Sequence, residues 1–175
     1  MLLTRLARKA IECYFQGDIY DPDLKTKQKY NGKEACFVTI TKDNKLRGCI
    51  GSLLSQRPLY QDVIANAINA AFKDYRFKPL DRSEFQDIKL EVSVLTLPKE
   101  LKYKNEEDLL KKTNKNIGLI LTKWNRSATF LPQVWEDLPN KIDFLEQLSL
   151  KAGLTKNDWK SAQYKYYKVK KHKEK

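Results

Sequence analysis

The sequence predicts an α+β fold, largely antiparallel sheet with flanking helices, and three observations carry that prediction. Two β-hairpins are written into it, at residues 35–51 and 117–131, each a pair of β-rich runs joined by a polar turn. Amphipathic helices stand outside the hairpins, with apolar residues at helical spacing over residues 2–15 and 58–72. The chain of 175 residues suits one domain, with room for two lobes. That length is enough to bury roughly 70% of the unfolded surface. A 41% hydrophobic and 32% charged composition describes a globular protein and excludes a disordered one. No apolar run approaches the ~20 residues of a membrane span, and Met1-Leu2-Leu3-Thr4-Arg5 opens a helix, not a secretory signal. Three cysteines at spacings unlike any metal motif fit a reducing compartment, so the expected location is the cytoplasm.

Taken in order, Leu2, Leu3, Leu6, Ala7, Ala10, Ile11 and Tyr14 form one helical stripe that Gly17 ends. Residues 18–33 read as a polar linker, with turn signals at Asp21-Pro22 and Asn31-Gly32. In the first hairpin, a turn at Asp43-Asn44 pairs Thr41 with Leu46, Thr39 with Gly48 and Val38 with Cys49. Alternation then puts Arg47, Cys49 and Gly51 on one face with Cys36 and Val38. Leu46, Gly48 and Ile50 take the other face with Phe37 and Thr39. Pro58 opens the second helix, where proline is tolerated, and that helix stops near Asp74. Asp81 with Glu84 caps a short turn. Ile88, Leu90, Val92 and Val94 alternate with polar residues as a half-buried strand. Asn105 caps a helix through Lys112, with acid at its start and lysine at its end. The second hairpin turns through Lys123-Trp124-Asn125-Arg126, and residues 140–152 form a last capped helix terminated by Gly153. Thr155-Lys156-Asn157-Asp158 starts a one-turn helix. Tyr or Val alternates with Lys over residues 164–169, which reads as an edge strand because lysines blunt pairing. Residues 170–175 read as a frayed basic tail behind a single domain over residues 1–169.

The chemistry concentrates in Leu46-Arg47-Gly48-Cys49-Ile50-Gly51. A thiolate is the reactive form of cysteine, and a guanidinium beside it favours the anion. Cys49 and Arg47 are therefore the candidate catalytic pair, with Gly48 and Gly51 removing side chains so that a substrate or another backbone can approach. The plainer reading is a small buried cysteine, with the glycines serving close packing of the Pro58 helix. Cys36 lies diagonal to Cys49, at the outer limit of disulfide geometry, and Cys13 reads as core. Asp74 and Arg76 place a charge pair beside the hairpin, either in a substrate site or as a bridge while Phe77 and Leu80 anchor a turn. Arg126, Thr129 and Gln133 offer a cation, a hydroxyl and an amide among aromatics that also read as core. His172 is the only histidine and sits in the tail, which argues against Cys-His and Ser-His-Asp arrangements and histidine metal sites. No phosphate-loop, dinucleotide or nucleophile-elbow motif is present, and no metal site is expected.

Part of the net charge of +12, from 34 Lys+Arg against 22 Asp+Glu, lies in the last eleven residues, and the remainder of the chain is moderately basic. One reading is an RNA- or DNA-binding module, with Tyr164, Tyr166 and Tyr167 stacking on bases. A lysine-rich soluble protein is preferred, because a phosphate-tracking groove calls for more arginine.

Leu46-Arg47-Gly48-Cys49-Ile50-Gly51 resembles the signature hexapeptide of the AMMECR family, the Alport-syndrome contiguous-region domain, called AmmeMemoRadiSam system protein A in prokaryotes. The likeness runs along the chain. It includes Asp74-Tyr75-Arg76-Phe77-Lys78-Pro79-Leu80, Gly118-Leu119-Ile120-Leu121, Ala128-Thr129-Phe130-Leu131-Pro132-Gln133-Val134-Trp135-Glu136 and Lys151-Ala152-Gly153-Leu154. The resemblance implies an α+β fold with a larger and a smaller lobe and a cleft between them. It also implies gene pairing with a Memo-like protein of the extradiol-dioxygenase fold and with a radical-SAM protein, and it brings no settled reaction or cofactor. The radical-SAM cysteine triplet is absent, so that chemistry belongs to a partner. The leading expectation is a cytoplasmic enzyme or accessory subunit of a modification pathway, with a cleft site around Cys49 and Arg47. A scaffold docking a Memo-like partner is the other alternative. The Lys115-Asn116-Ile117 lead-in lacks the glycine-rich turn of many members, and the lysine-rich end is private to this chain.

Overall fold

Strands β1 (Ala35–Lys42) and β2 (Lys45–Gly51) form the first hairpin, turned by Asp43 and Asn44 at φ 50° and 59°. Consecutive positive φ matches the twist of the flanking strands, and Asp and Asn tolerate it better than other side chains. The computed structural model describes residues 2–54 and 56–174. Strand β3 (Ile88–Leu95) pairs antiparallel with the other side of β1. The chain divides into two units, residues 1–95 with 170–175, and residues 96–169.

In the first unit, helices α1 (Leu2–Phe15) and α3 (Leu59–Phe72) fall where periodicity places them, with Pro58 capping α3. Their apolar stripes bury Leu6, Ile11, Val63 and Ala67 against Val38, Ile40, Leu90 and Val92. Helix α2 (Leu24–Lys29) lies in the stretch expected to be linker. It has no apolar stripe to betray it, and its start is set by Asp23, whose carboxylate accepts from the Thr26 N–H and hydroxyl at 2.9 and 2.8 Å. The expected basic tail is a strand instead. Strand β8 (Val169–Lys173) completes the sheet in the order β2-β1-β3-β8. Glu174 fixes its end: the Leu90 N–H and Arg8 donate to its carboxylate, while its own N–H donates to the Leu90 carbonyl. A lysine-rich composition obscured this because the stabilising partners are backbone groups and one glutamate.

The second unit repeats the scheme. Strands β4 (Lys99–Glu100), β5 (Gly118–Lys123), β6 (Arg126–Phe130) and β7 (Gln163–Tyr167) form an antiparallel sheet ordered β4-β7-β5-β6. Helices α4 (Glu106–Lys112) and α6 (Lys141–Lys151) start at the expected caps Asn105 and Asn140, and the short α5 (Val134–Asp137) was not anticipated. Trp135 stacks on Phe144 with ring centroids 3.7 Å apart, over a core that includes Leu119, Leu121, Leu148 and Tyr164. Strand β7 lies inside the sheet, not at its edge. Its Tyr/Lys alternation records the core face, on which Tyr164 is 2% exposed, while Tyr167 is buried at 1% on the opposite face, over Gly118. Those two rings are therefore closed to base stacking. No helix among the described residues is long and apolar enough to cross a membrane.

One contact fixes how the first sheet meets its helices. A Cβ at Gly48 would lie 2.1 Å from the Ala70 carbonyl oxygen of α3, so that position admits no side chain unless β2 and α3 separate. Gly48→Ala is expected to destabilise the protein by about 1–3 kcal/mol or more, as overpacking does. Gly32→Ala, where the nearest atom is the end of Glu34 at 3.5 Å, should change little. Thermal unfolding of both variants checks this, and an unperturbed Gly48→Ala would contradict the packing.

Candidate functional site

The hairpin starts in the expected register, with Thr41 opposite Leu46, but shifts between Ile40 and Thr41. Beyond the shift Ile40 faces Gly48, Thr39 faces Cys49 and Phe37 faces Gly51. Arg47 is the extra residue of a β-bulge, and a one-residue slip sends every later side chain to the opposite face. Cys49 therefore shares a face with Thr39 and Phe37. Cys36 and Val38 point into the helix-covered core, which corrects the expected arrangement. A bulge leaves no periodic signal in so short a strand.

On the other face, the one α1 and α3 do not cover, a polar row crosses the sheet. Cys49 Sγ lies 3.2 Å from Thr39 Oγ1, and Thr39 is opposite Glu91 of β3. The Glu91 carboxylate accepts from the Ser93 hydroxyl at 3.1 Å and pairs with Lys173 at 3.2 Å and Lys171 at 3.9 Å. Strand spacing sets Cys49 and Glu91 roughly 10 Å apart, with the Thr39 hydroxyl between them. Cys49 is half-buried, whereas Cys36 is sealed and its thiol is pushed up by burial and by the Asp62 carboxylate. Thr39 and Glu91 escaped sequence reasoning because only the corrected register brings them to the thiol.

The two arginines have separate tasks. Arg47 turns away from the thiol. Its Nε and Nη2 donate to Glu84 at 3.1 and 2.9 Å, and Nη1 donates to the Lys78 carbonyl at 2.9 Å. The expected pairing of Arg47 with the sulfur is thus replaced by a clamp on the turn before β3. Arg76 is the guanidinium that touches Cys49, through the backbone carbonyl. It grips Asp74 through Nε at 2.9 Å and Nη2 at 2.7 Å, and Nη2 also donates to the Cys49 carbonyl at 3.1 Å. Asp74 in turn accepts the Cys49 N–H at 2.9 Å. The segment thereby satisfies both backbone groups of Cys49 on the outer edge of β2, as a neighbouring strand would. Arg76 holds the Asp74 carboxyl far below the usual carboxylate range, and the Cys49 N–H adds to this.

Gly48 and Gly51 do not open space for a substrate. The Ala70 carbonyl fills the first position, and the Phe37 ring, 2.3 Å from a built Cβ, fills the second. Arg126, Thr129 and Gln133 belong to the second unit and are not gathered by any shared contact. Arg126 lies against Gly153, three residues along β6 from Thr129. The Thr129 hydroxyl donates to the Leu119 carbonyl at 2.7 Å and lies 2.9 Å from the Tyr167 hydroxyl, while the buried Gln133 Oε1 has no hydrogen-bond partner. A further cluster went unforeseen. Asp62 of α3, 1% exposed, accepts from the Cys36 N–H, the Ser52 hydroxyl and Asn66, pairs with Arg57, and ties the end of the hairpin to α3. Its position on a helix otherwise read as apolar was the available signal.

These features define an α+β protein of two sheet-and-helix units with a thiol on the helix-free face of the first sheet. The AMMECR1 family model matches residues 4–173, and the chain belongs to that family. A protein of Methanopyrus kandleri is 40% identical over 170 residues, covering 94% of this chain and 82% of its own. One from Nanoarchaeum equitans is 39% identical over 162 residues, covering 91% and 90%. The crystal structure of an uncharacterized protein from Pyrococcus horikoshii superposes with a TM-score of 0.86 at 33% identity, over 99% of this chain and 90% of that one.

The Arg47 clamp has a pH signature. Arg47 first, then the Asp81 N–H and Lys42, hold Glu84 down at about 2, against an ordinary value of 4.5. A depressed carboxylate contributes stability that is complete above its unfolded value and is lost as pH falls through its folded one. Glu84→Gln is therefore expected to lower the melting temperature at neutral pH and to flatten its fall between pH 4.5 and about 2. Parallel acid profiles for the two proteins would contradict the clamp.

Proposed function

We propose that the protein is a cytoplasmic enzyme, or an accessory subunit of one, that uses the Cys49 thiol as nucleophile or substrate contact on the helix-free face of its first sheet. The observation that carries this reading is the row Cys49–Thr39–Glu91 with Lys171 and Lys173 at its end. In such a row the Thr39 hydroxyl orients the thiol, whose proton passes to solvent when the sulfur attacks, and the lysines hold an anionic part of the substrate. Asp74 and Arg76 act as positioning residues, since they fix the Cys49 backbone. Arg47 has no part in this reading.

The pathway half of the proposal rests on family kinship alone: a modification system shared with a Memo-like protein and a radical-SAM protein, to which this chain brings no cluster-binding cysteine triplet. Nucleic-acid binding is less well supported, because two of the three tyrosines it relied on are buried.

Iodoacetamide labelling of the folded protein, read by peptide mass spectrometry, tests the site. Cys49 should be alkylated while Cys36, at 0% exposure, stays silent until the protein unfolds. A Cys49 as inert as Cys36 removes the nucleophile. Co-purification with the Memo-like protein of the same genome tests the pathway, and a strictly solitary protein counts against it.

A further inference from the structure

The turn between β5 and β6 holds an unexpected residue. Its first central position, Trp124, has φ +53, and Trp124 is one of three non-glycine residues with positive φ among those described. Positive φ at the first central residue alone is the pattern of a type II′ turn, where glycine is preferred, and for a bulky side chain it is an outlier. Packing does not compensate, since Trp124 is 75% exposed while Trp135 and Trp159 are buried. The surroundings nevertheless hold the tip still. Lys123 lies with Nζ 4.7 Å from the Trp124 ring centroid. The same ammonium is tied to Asp158 and, at 2.9 Å, to Ser161. Asp158 is itself bound to the Thr155 N–H and hydroxyl at 2.8 and 2.7 Å. One face of the indole is thus backed by an anchored cation and the other is open. Strain that is buttressed yet stabilises nothing inside the fold points outward, to a function.

We propose that this tip docks on a partner protein, with Trp124 entering an apolar pocket whose rim is acidic. Tryptophan and arginine dominate binding hot spots, and exposed Arg126 closes the same turn, opposite Lys123. The charge the tip presents is positive, because Lys123 and Asp158 neutralise each other and leave the exposed Arg126, on a chain that carries +12. Shape argues for a protein over single-stranded nucleic acid. Strand tracking uses successive stacking platforms along a groove, and this is one ring on a projecting turn. A lipid surface requires a broad apolar face, and the neighbours Asn125 and Ser127 are polar.

The test uses the full chain and three variants, Trp124→Gly, Trp124→Ala and Arg126→Glu. Trp124→Gly relieves the backbone strain, so its melting temperature should equal or exceed that of the parent; a clear drop assigns Trp124 a structural role and overturns the proposal. For binding, the anisotropy of three fluorescein-labelled probes, a short amphipathic Glu/Leu peptide, a matched Lys/Leu peptide and oligo(dT), is followed on titration with each protein, and phosphatidylglycerol vesicles are tested by co-sedimentation. Saturable binding of the Glu/Leu peptide, weakened about tenfold or more by Trp124→Ala and by Arg126→Glu, is expected. No binding of that peptide, binding indifferent to either variant, or tighter binding of oligo(dT) or vesicles would each overturn it.

Discussion

Strand β2 lies against α3 only because Gly48 has no side chain, and most of the first unit follows from that approach. Bringing β2 so close to the helix leaves its outer edge beside the segment that follows α3. Asp74 and Arg76 of that segment then take up the Cys49 N–H and carbonyl. Arg47, pushed out by the bulge, reaches Glu84 and the Lys78 carbonyl just before β3. The hexapeptide from Leu46 to Gly51 is thus largely an architectural device. Its glycine sets the helix distance, its arginine locks the following turn, and its cysteine backbone is sealed by an ion pair.

That division of labour leaves the Cys49 side chain as the part of the motif not consumed by packing. Both arginines of this region are engaged in ion pairs with carboxylates, and removing Glu84 would leave the partly buried Arg47 without its counterion. The thiol instead meets a hydroxyl, with a carboxylate and two ammonium groups further along the row. At the other end of the hairpin, Asp62 and Asn66 of α3 hold the Cys36 N–H and carbonyl, so the strand pair is pinned to the helix layer at both ends. The helix-free face consequently rests on a rigid base, as a site on sheet rather than loop should.

Much of this was legible in the residues. Helices with an apolar stripe or a side-chain cap, α1, α3, α4 and α6, are visible because burial and capping act on neighbours in sequence. Both hairpins are visible for the same reason. Helix α2, polar on every side, and strand β8, held by backbone pairing and Glu174, were not, because their stabilising partners are distant or lie in the main chain. The placing of Cys49 failed on a single inserted residue. The motif drew attention to the right sulfur, while the shift between Ile40 and Thr41 decides that it faces Thr39, with Glu91 one strand further along the row, instead of Cys36 and Arg47. Asp74 and Arg76 were recognised as a pair beside the hairpin, yet what they bind is the main chain, which no side-chain pattern encodes.

The central claim is that the Asp74–Arg76 pair substitutes for a missing strand at the edge of β2. Native-state hydrogen exchange at the Cys49 amide tests it most directly, since an edge amide without a partner exchanges freely and a bonded one only on opening. The account predicts protection at Cys49 close to that of the interior strand β1. Exchange at the rate of an open edge would contradict it.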